Sequence, residues 1–269
     1  MKLLLTDNEK IMKFSTIFRH LRQFSDVMVI YFSDTGMYAQ GMDGSNCCLF
    51  ECKIPAGWFD EYSYDSGTDA PQIGVNTAIM QKVIGTLGDK QEIRMSYSGL
   101  SDILEVEFKG SANFTRYFEI ALIDLDVEFL DIPKQETHVD LTIQTNKFSE
   151  LISQLLIFSE ILTLHFTEEA INFKASGIEG SMSSRIDMDD VMEYAIGEDT
   201  ELLHSYSLKY LNLMCNFSKI NKDVVLGFSE NMPMSLVFYL EEKEEGDADN
   251  TEKDCFLGFY LAPRIVDEY

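Results

Sequence analysis

The amino-acid sequence predicts an α+β protein of two similar domains, each made of antiparallel sheets with helices on one face. Three observations point there. A long stretch near the start recurs near the middle, a second stretch recurs within the two halves, and an extended acidic segment separates them. With 269 residues and 45% hydrophobic content, the chain can bury one large core or two smaller ones.

The first repeat sets Lys13–Phe32 against Lys147–Phe166 in one register. Lys13 aligns with Lys147, Phe14 with Phe148, Ile17 with Leu151, Phe18 with Ile152, Leu21 with Leu155 and Phe24 with Phe158. Positions 14, 17, 18 and 21 have the spacing of one helical face, so a helix opens each copy. The register then runs into β-rich segments, Val27–Phe32 and Ile161–Phe166. Ser33–Gly36 and Thr167–Ala170 read as turns, and Met37–Gln40 and Ile171–Lys174 as returning strands.

The second repeat sets Asn76–Tyr97 against Ser207–Phe228. Each is an amphipathic helix, with Ile79, Met80 and Val83 or Tyr210, Leu211 and Met214 on its apolar face, leading into a strand. Between the copies lies Ala121–Glu136, where four acids alternate with apolar residues before Ile132-Pro133. Proline there blocks a helix and favours extended chain. The expected division is residues 1–121, a linker 122–136, and residues 137–269.

Several classes are set aside. No apolar run is long enough to span a bilayer, and the opening Met1–Leu5 is too short for a signal-peptide core. The five cysteines include no C-x-x-C pair, which suits reduced thiols in an intracellular compartment and no metal. Phosphate-loop, nucleophile-elbow and zinc-protease motifs are missing, and the four histidines are scattered, so neither catalysis nor a cofactor is expected. His165 reads as structural. The stretch Glu241–Asp254 is dominated by acids and reads as a solvated hairpin loop. The net charge of −25 repels nucleic acid on average, so any DNA contact needs its cations gathered on one face.

Six stretches carry a family resemblance: Gly36–Ile54 with its "MDGS", Ile73–Ile84, Leu122–Glu136 with "LDVEFLDIP", Phe173–Met182, Ser207–Asn212 and Phe259–Glu268 with "YLAPRI". In this order and spacing, over almost the whole chain, the sequence resembles the proliferating cell nuclear antigen family, the eukaryotic-type DNA sliding clamps. The resemblance implies a clamp fold that assembles as a homotrimeric ring around duplex DNA and works in replication and repair. Helices would line the hole. Polymerases and other enzymes would dock through a front-face pocket, a clamp loader would open the ring, and the protein would act in the nucleus or wherever DNA is replicated.

Carried over by motif, the DNA-facing positions are Lys13, Arg19, Arg22, Lys82, Lys147, Lys209 and Lys219. The partner-peptide pocket comprises Met42, Leu130, Ile132, Pro133, Pro233, Tyr260, Ala262, Pro263 and Ile265. The subunit contact pairs Arg116–Ile120 with Ile178–Arg185 and includes Phe118, Ile178 and Met182. Three features depart from the family: Glu150 and Ser153 stand where arginines are usual, Glu168 replaces the lysine that ubiquitin modifies, and the acidic loop is longer. The alternative readings are a clamp-fold scaffold that does not encircle DNA, a checkpoint-type clamp needing different partner subunits, and an enzyme with dispersed catalytic groups.

Overall fold

The computed structural model describes residues 1–65, 72–99, 101–110, 114–124, 130, 132, 136–230, 232–241 and 254–264. The chain divides into two compact units. One is Met1–Phe129 with Tyr239–Leu257, the other Leu130–Phe238 with Gly258–Tyr269.

The first unit opens with β1 (Lys2–Leu5) and α1 (Asn8–His20). Asp7 starts the helix: its carboxylate accepts the backbone N–H groups of Glu9 and Lys10, both at 2.9 Å. Two of the helix's orphan donors are thereby satisfied. Arg19 and His20 sit at the other end, where the helix dipole favours cations. Phe14, Ile17, Phe18 and Leu21 are all buried, as their spacing predicts.

A hairpin follows, β2 (Val27–Ser33) and β3 (Gly36–Met42), closed at Ser33 and Gly36. Gly36 has φ of 146°, and a Cβ there would lie 2.3 Å from the Ile54 carbonyl oxygen on β4 (Cys48–Pro55). Only glycine permits both that conformation and that approach. The unit continues with β5 (Glu61–Ser63), β6 (Gln72–Asn76), α2 (Thr77–Gly85), β7 (Glu92–Ser96), β8 (Ile103–Lys109) and β9 (Arg116–Ala121). Asn76 caps α2, accepting from Ala78 N at 3.0 Å and Ile79 N at 3.1 Å. The strands run in the orders β5-β1-β7-β8-β9 and β6-β2-β3-β4, all antiparallel where paired. One departure from the expected helix face is Ile79, which is exposed while Met80 and Val83 are buried.

The second unit repeats this order. It holds β10 (Val139–Gln144), α3 (Thr145–Leu155), β11 (Ile161–Thr167), β12 (Ala170–Gly177), β13 (Gly180–Ile186), β14 (Glu193–Ile196) and β15 (Leu202–Ser207). Then come α4 (Leu208–Met214), β16 (Asp223–Phe228), β17 (Met234–Tyr239) and β18 (Phe256–Leu261), whose first residues group with the first unit. Its strand orders are β14-β10-β16-β17 and β15-β11-β12-β13, which match β5-β1-β7-β8 and β6-β2-β3-β4 term by term.

The duplication extends to single hydrogen bonds. Thr77 N donates to Asp26 O at 3.1 Å at the start of α2, and Leu208 N donates to Glu160 O at 2.9 Å at the start of α4. Each bond joins residues that the two repeats place in correspondence. The capping differs: neither Gln144 before α3 nor Ser207 before α4 caps through its side chain.

Two predicted segments fall largely outside the described residues: 125–129, 131 and 133–135 of the linker, and 242–253 of the acidic loop. The loop's base is closed as a hairpin requires, with Leu240 N donating to Cys255 O at 2.8 Å. The expected strand Ile178–Arg185 needs correction. Ile178 lies in the turn between β12 and β13, and the strand begins at Gly180, because Gly177 pairs with Gly180 across a tight reversal.

Candidate functional site

Each unit carries a pair of helices side by side, α1 with α2 and α3 with α4. In the first unit the Gln81 side chain donates to Arg19 O at 3.0 Å, tying α2 to the end of α1. The candidate DNA-facing cations on these helices and just beyond their ends fall into three groups. Lys13 belongs to the framework: its ammonium donates to Leu240 O and pairs with Glu9 Oε1, both at 2.7 Å, and its side chain is only 14% exposed.

Arg22, Lys147 and Lys209 are more exposed but paired. Arg22 meets Asp26, Lys147 meets Asp190 at 2.7 Å, and Lys209 meets Glu160 at 2.6 Å. Such surface pairs exchange partners at little cost, so these cations can still reach a phosphate. Arg19, Lys82 and Lys219 are exposed and make no ion pair with another described residue. The departure on α3 is plain: Glu150 and Ser153 are both exposed, and Glu150 binds the Gln154 amide at 3.0 Å.

His165 is held by Glu201, Nε2 to Oε1 at 2.6 Å, in an ion pair when the ring is protonated. His204 lies against Tyr206, its Nδ1 3.1 Å from the phenol oxygen, and burial holds its pKa below the ordinary histidine value.

Met42 closes β3 in the first unit and is half-buried. In the second unit Leu130 is 38% exposed, and Ile132, Pro233, Tyr260, Ala262 and Pro263 are half-buried. Pro133 and Ile265 lie outside the described residues.

The interface candidates sit on sheet edges. β9 ends the order β5-β1-β7-β8-β9, and β13 ends β15-β11-β12-β13. The other edges are shorter or met by another segment. β5 has three residues and β14 four, Ile123 N bonds to Gly74 O on β6, and Arg264 N bonds to Ser205 O on β15. Among the described residues neither β9 nor β13 pairs with a further strand, and an edge of six or seven residues left so is a template for pairing with another chain. Phe118 on β9 is half-buried, its ring centroid 5.4 Å from that of Phe108, and Met182 on β13 is half-buried too.

Beside β13 the structure adds two residues that sequence reasoning missed. Ile157 is 77% exposed and Phe158 37%, where α3 ends, and Ile178 in the neighbouring turn is fully exposed. The segments abut: a Cβ on Gly177 would lie 2.0 Å from Phe158 O, and one on Gly180 would lie 3.4 Å from the Phe158 ring. The signal was in the repeat. Ile157 is an aliphatic residue where the first copy has Gln23.

Two units of matching topology, each with a helix pair and a bare sheet edge, define a clamp-type α+β protein. Family models agree: that for the proliferating cell nuclear antigen N-terminal domain matches residues 8–129, and that for its C-terminal domain matches residues 131–246. A relative described as proliferating cell nuclear antigen, from Chaetomium thermophilum, is 25% identical over 244 residues, covering 88% of each chain. The chain belongs to the proliferating cell nuclear antigen family. That membership supports a sliding-clamp function.

Proposed function

We propose that three copies of this chain join head to tail into a ring that encircles duplex DNA and tethers replication and repair enzymes to it. The observation that carries the reading is the pair of bare edges, β9 on one unit and β13 on the other. An edge of one kind on each unit makes a heterologous contact, and a heterologous contact closes into a ring when its rotation allows. The helix pairs then supply loose, sequence-independent contacts to phosphates through Arg19, Lys82 and Lys219, with Arg22, Lys147 and Lys209 exchanging partners. Topological linkage requires no tighter hold, which suits a chain of net charge −25.

Docking partners would carry a short peptide with a glutamine, an aliphatic residue and two aromatics. These groups would bury against Leu130, Ile132, Pro233 and Tyr260 of the second unit. A clamp loader opens the ring, and the protein works in the nucleus or at the site of replication. The reading assigns no catalysis to the chain.

Sedimentation velocity and retention on circular DNA test it. The expected mass is three times 30.7 kDa, with DNA held when circular and lost when cut. A monomer at micromolar concentration overturns the ring. A trimer that leaves circular and linear DNA equally fast supports the second reading, a scaffold that does not encircle DNA. The ion pairs of Lys147 and Lys209 and the exposed Glu150 on α3 favour that alternative.

A further inference from the structure

We propose that pairing between copies is directed by charge: Glu105, Glu107 and Glu119 on the outward face beside β9 are answered by Lys174 and Arg185 of the next copy. The inference rests on the β9-to-β13 contact proposed above and adds what selects its partner and register.

The first unit carries an unresolved electrostatic conflict. Glu105 on β8 stands directly opposite Glu119 on β9. Like charges facing each other across antiparallel strands are destabilising. Nearby groups offset little of this. The Ser96 hydroxyl donates to Glu105 Oε2 at 2.6 Å, and Arg94 reaches Glu107 only at 3.8 Å. Glu119 makes no ion pair with another described residue. These side chains line a groove with Tyr117, which is exposed, and the groove runs to the bare edge.

The second unit carries the opposite imbalance. β12 and β13 contain no carboxylate, in a chain with 46 acids and 21 bases. Their outward positions hold Lys174 and Arg185, both exposed and neither in an ion pair with another described residue. Lys174 faces Ser183 across the hairpin, and Arg185 faces Asn172.

The pleat dictates how the two faces meet. Outward residues align with outward residues, because a slip of one position would turn every side chain over. In antiparallel pairing with fullest overlap, Glu119 comes opposite Ser183, and Tyr117 opposite Arg185. Two cross-sheet rows result: Glu105–Glu119–Ser183–Lys174 and Glu107–Tyr117–Arg185–Asn172. Neighbouring strands lie about 4.8 Å apart, and serine is small enough for the Lys174 ammonium to reach over it to Glu119. Arg185 comes over the Tyr117 ring with Glu107 behind it. The carboxylates that repel one another within a free copy become the attractive half of the contact.

Charge exchange tests this. Glu105→Lys with Glu119→Lys, and separately Lys174→Glu with Arg185→Glu, should each raise the assembly midpoint about tenfold or more at about 0.05 M salt. The differences should shrink at about 0.5 M salt, where screening is short-ranged. Combining all four changes makes the row through Glu119 complementary again, while Glu107 then faces the acid introduced at position 185, and should restore assembly by about threefold or more over either pair. Near-ultraviolet circular dichroism and melting temperature establish that each variant is folded. A fourfold variant that assembles no better than either pair overturns the inference, as do pairs that assemble like wild type at low salt. In both cases a trimeric wild type leaves the ring reading intact. A wild type that is monomeric throughout overturns both.

Discussion

Phe24 and Phe158 hold the same place in the two repeats, yet Phe24 is 3% exposed and Phe158 is 37% exposed. The difference lies in their surroundings. Phe24 is buried, whereas Phe158 rests against Gly180 at the end of a sheet, beside Ile157 and Ile178. Apolar side chains left open beside a sheet edge suit the contact between copies proposed above.

The oligomer should therefore depend on residues that the isolated chain does not need. Ile157→Glu together with Ile178→Asp should weaken assembly by about tenfold or more, since each would bury a charge in the contact. The melting temperature of the monomer should barely move, because both side chains are exposed and contribute no core packing. Phe118→Asp should instead lower both, because its ring packs on Phe108. Light scattering with a parallel thermal melt separates the two outcomes. Unchanged assembly in the Ile157/Ile178 variant would remove these residues from the interface.

On DNA, reversing Arg19, Lys82 and Lys219 to glutamate should shorten retention on closed circles. The slope of log affinity against log salt should flatten by about 2 to 3, the number expected for three lost phosphate contacts. Reversing Lys2, Lys53 and Lys109, which lie on strands and not on the helix pairs, should do less. Reversing Lys13 should mainly cost stability, since it would remove the ammonium that donates to Leu240 and set a carboxylate beside Glu9. Equal effects from the helix set and the strand set would mean that the helix cations are ordinary solvated charges.

For the docking pocket, Leu130→Ala or Ile132→Ser should cost about 1–3 kcal/mol of peptide binding, the range of a truncated anchor. Leu130 is already 38% exposed, so its loss should leave folding and assembly alone. Fluorescence titration of a labelled peptide against each variant gives the answer. Wild-type affinity in both variants would assign these side chains to packing alone.

His204 should make stability pH-dependent. Burial lowers its pKa, with Glu230 working against the shift, so the unfolded chain binds this proton more readily than the folded one. Stability is then retained above the ordinary histidine value of about 6.5 and falls as pH drops through it. His204→Gln removes that titration and should narrow the difference in melting temperature between about pH 7.5 and about pH 5.5. The neighbouring Tyr206 phenol stays neutral over this range, because burial raises its pKa. Parallel pH dependences in variant and wild type would show that other groups carry the effect.

Much of this protein was legible without coordinates, for local reasons. The 14, 17, 18, 21 spacing determined a buried helical face, and the turn residues at Ser33–Gly36 determined a hairpin. The internal register determined that each would recur, because two copies of one pattern must bury the same positions to fold the same way. Matched motifs determined the family.

Tertiary structure decided which of those positions are available. Lys13 aligns with Lys147, yet one ammonium is taken up by Glu9 and Leu240 while the other is exposed and pairs with Asp190, because Leu240 and Asp190 are remote in sequence. Ile178 falls in a turn, not a strand, because Gly177 and Gly180 close the hairpin around it. The opposition of Glu105 and Glu119 depends on how β8 and β9 register, which nothing in either segment alone specifies. A pattern of residue types records what must be buried. Which charge meets which is settled only when strands distant along the chain come into register.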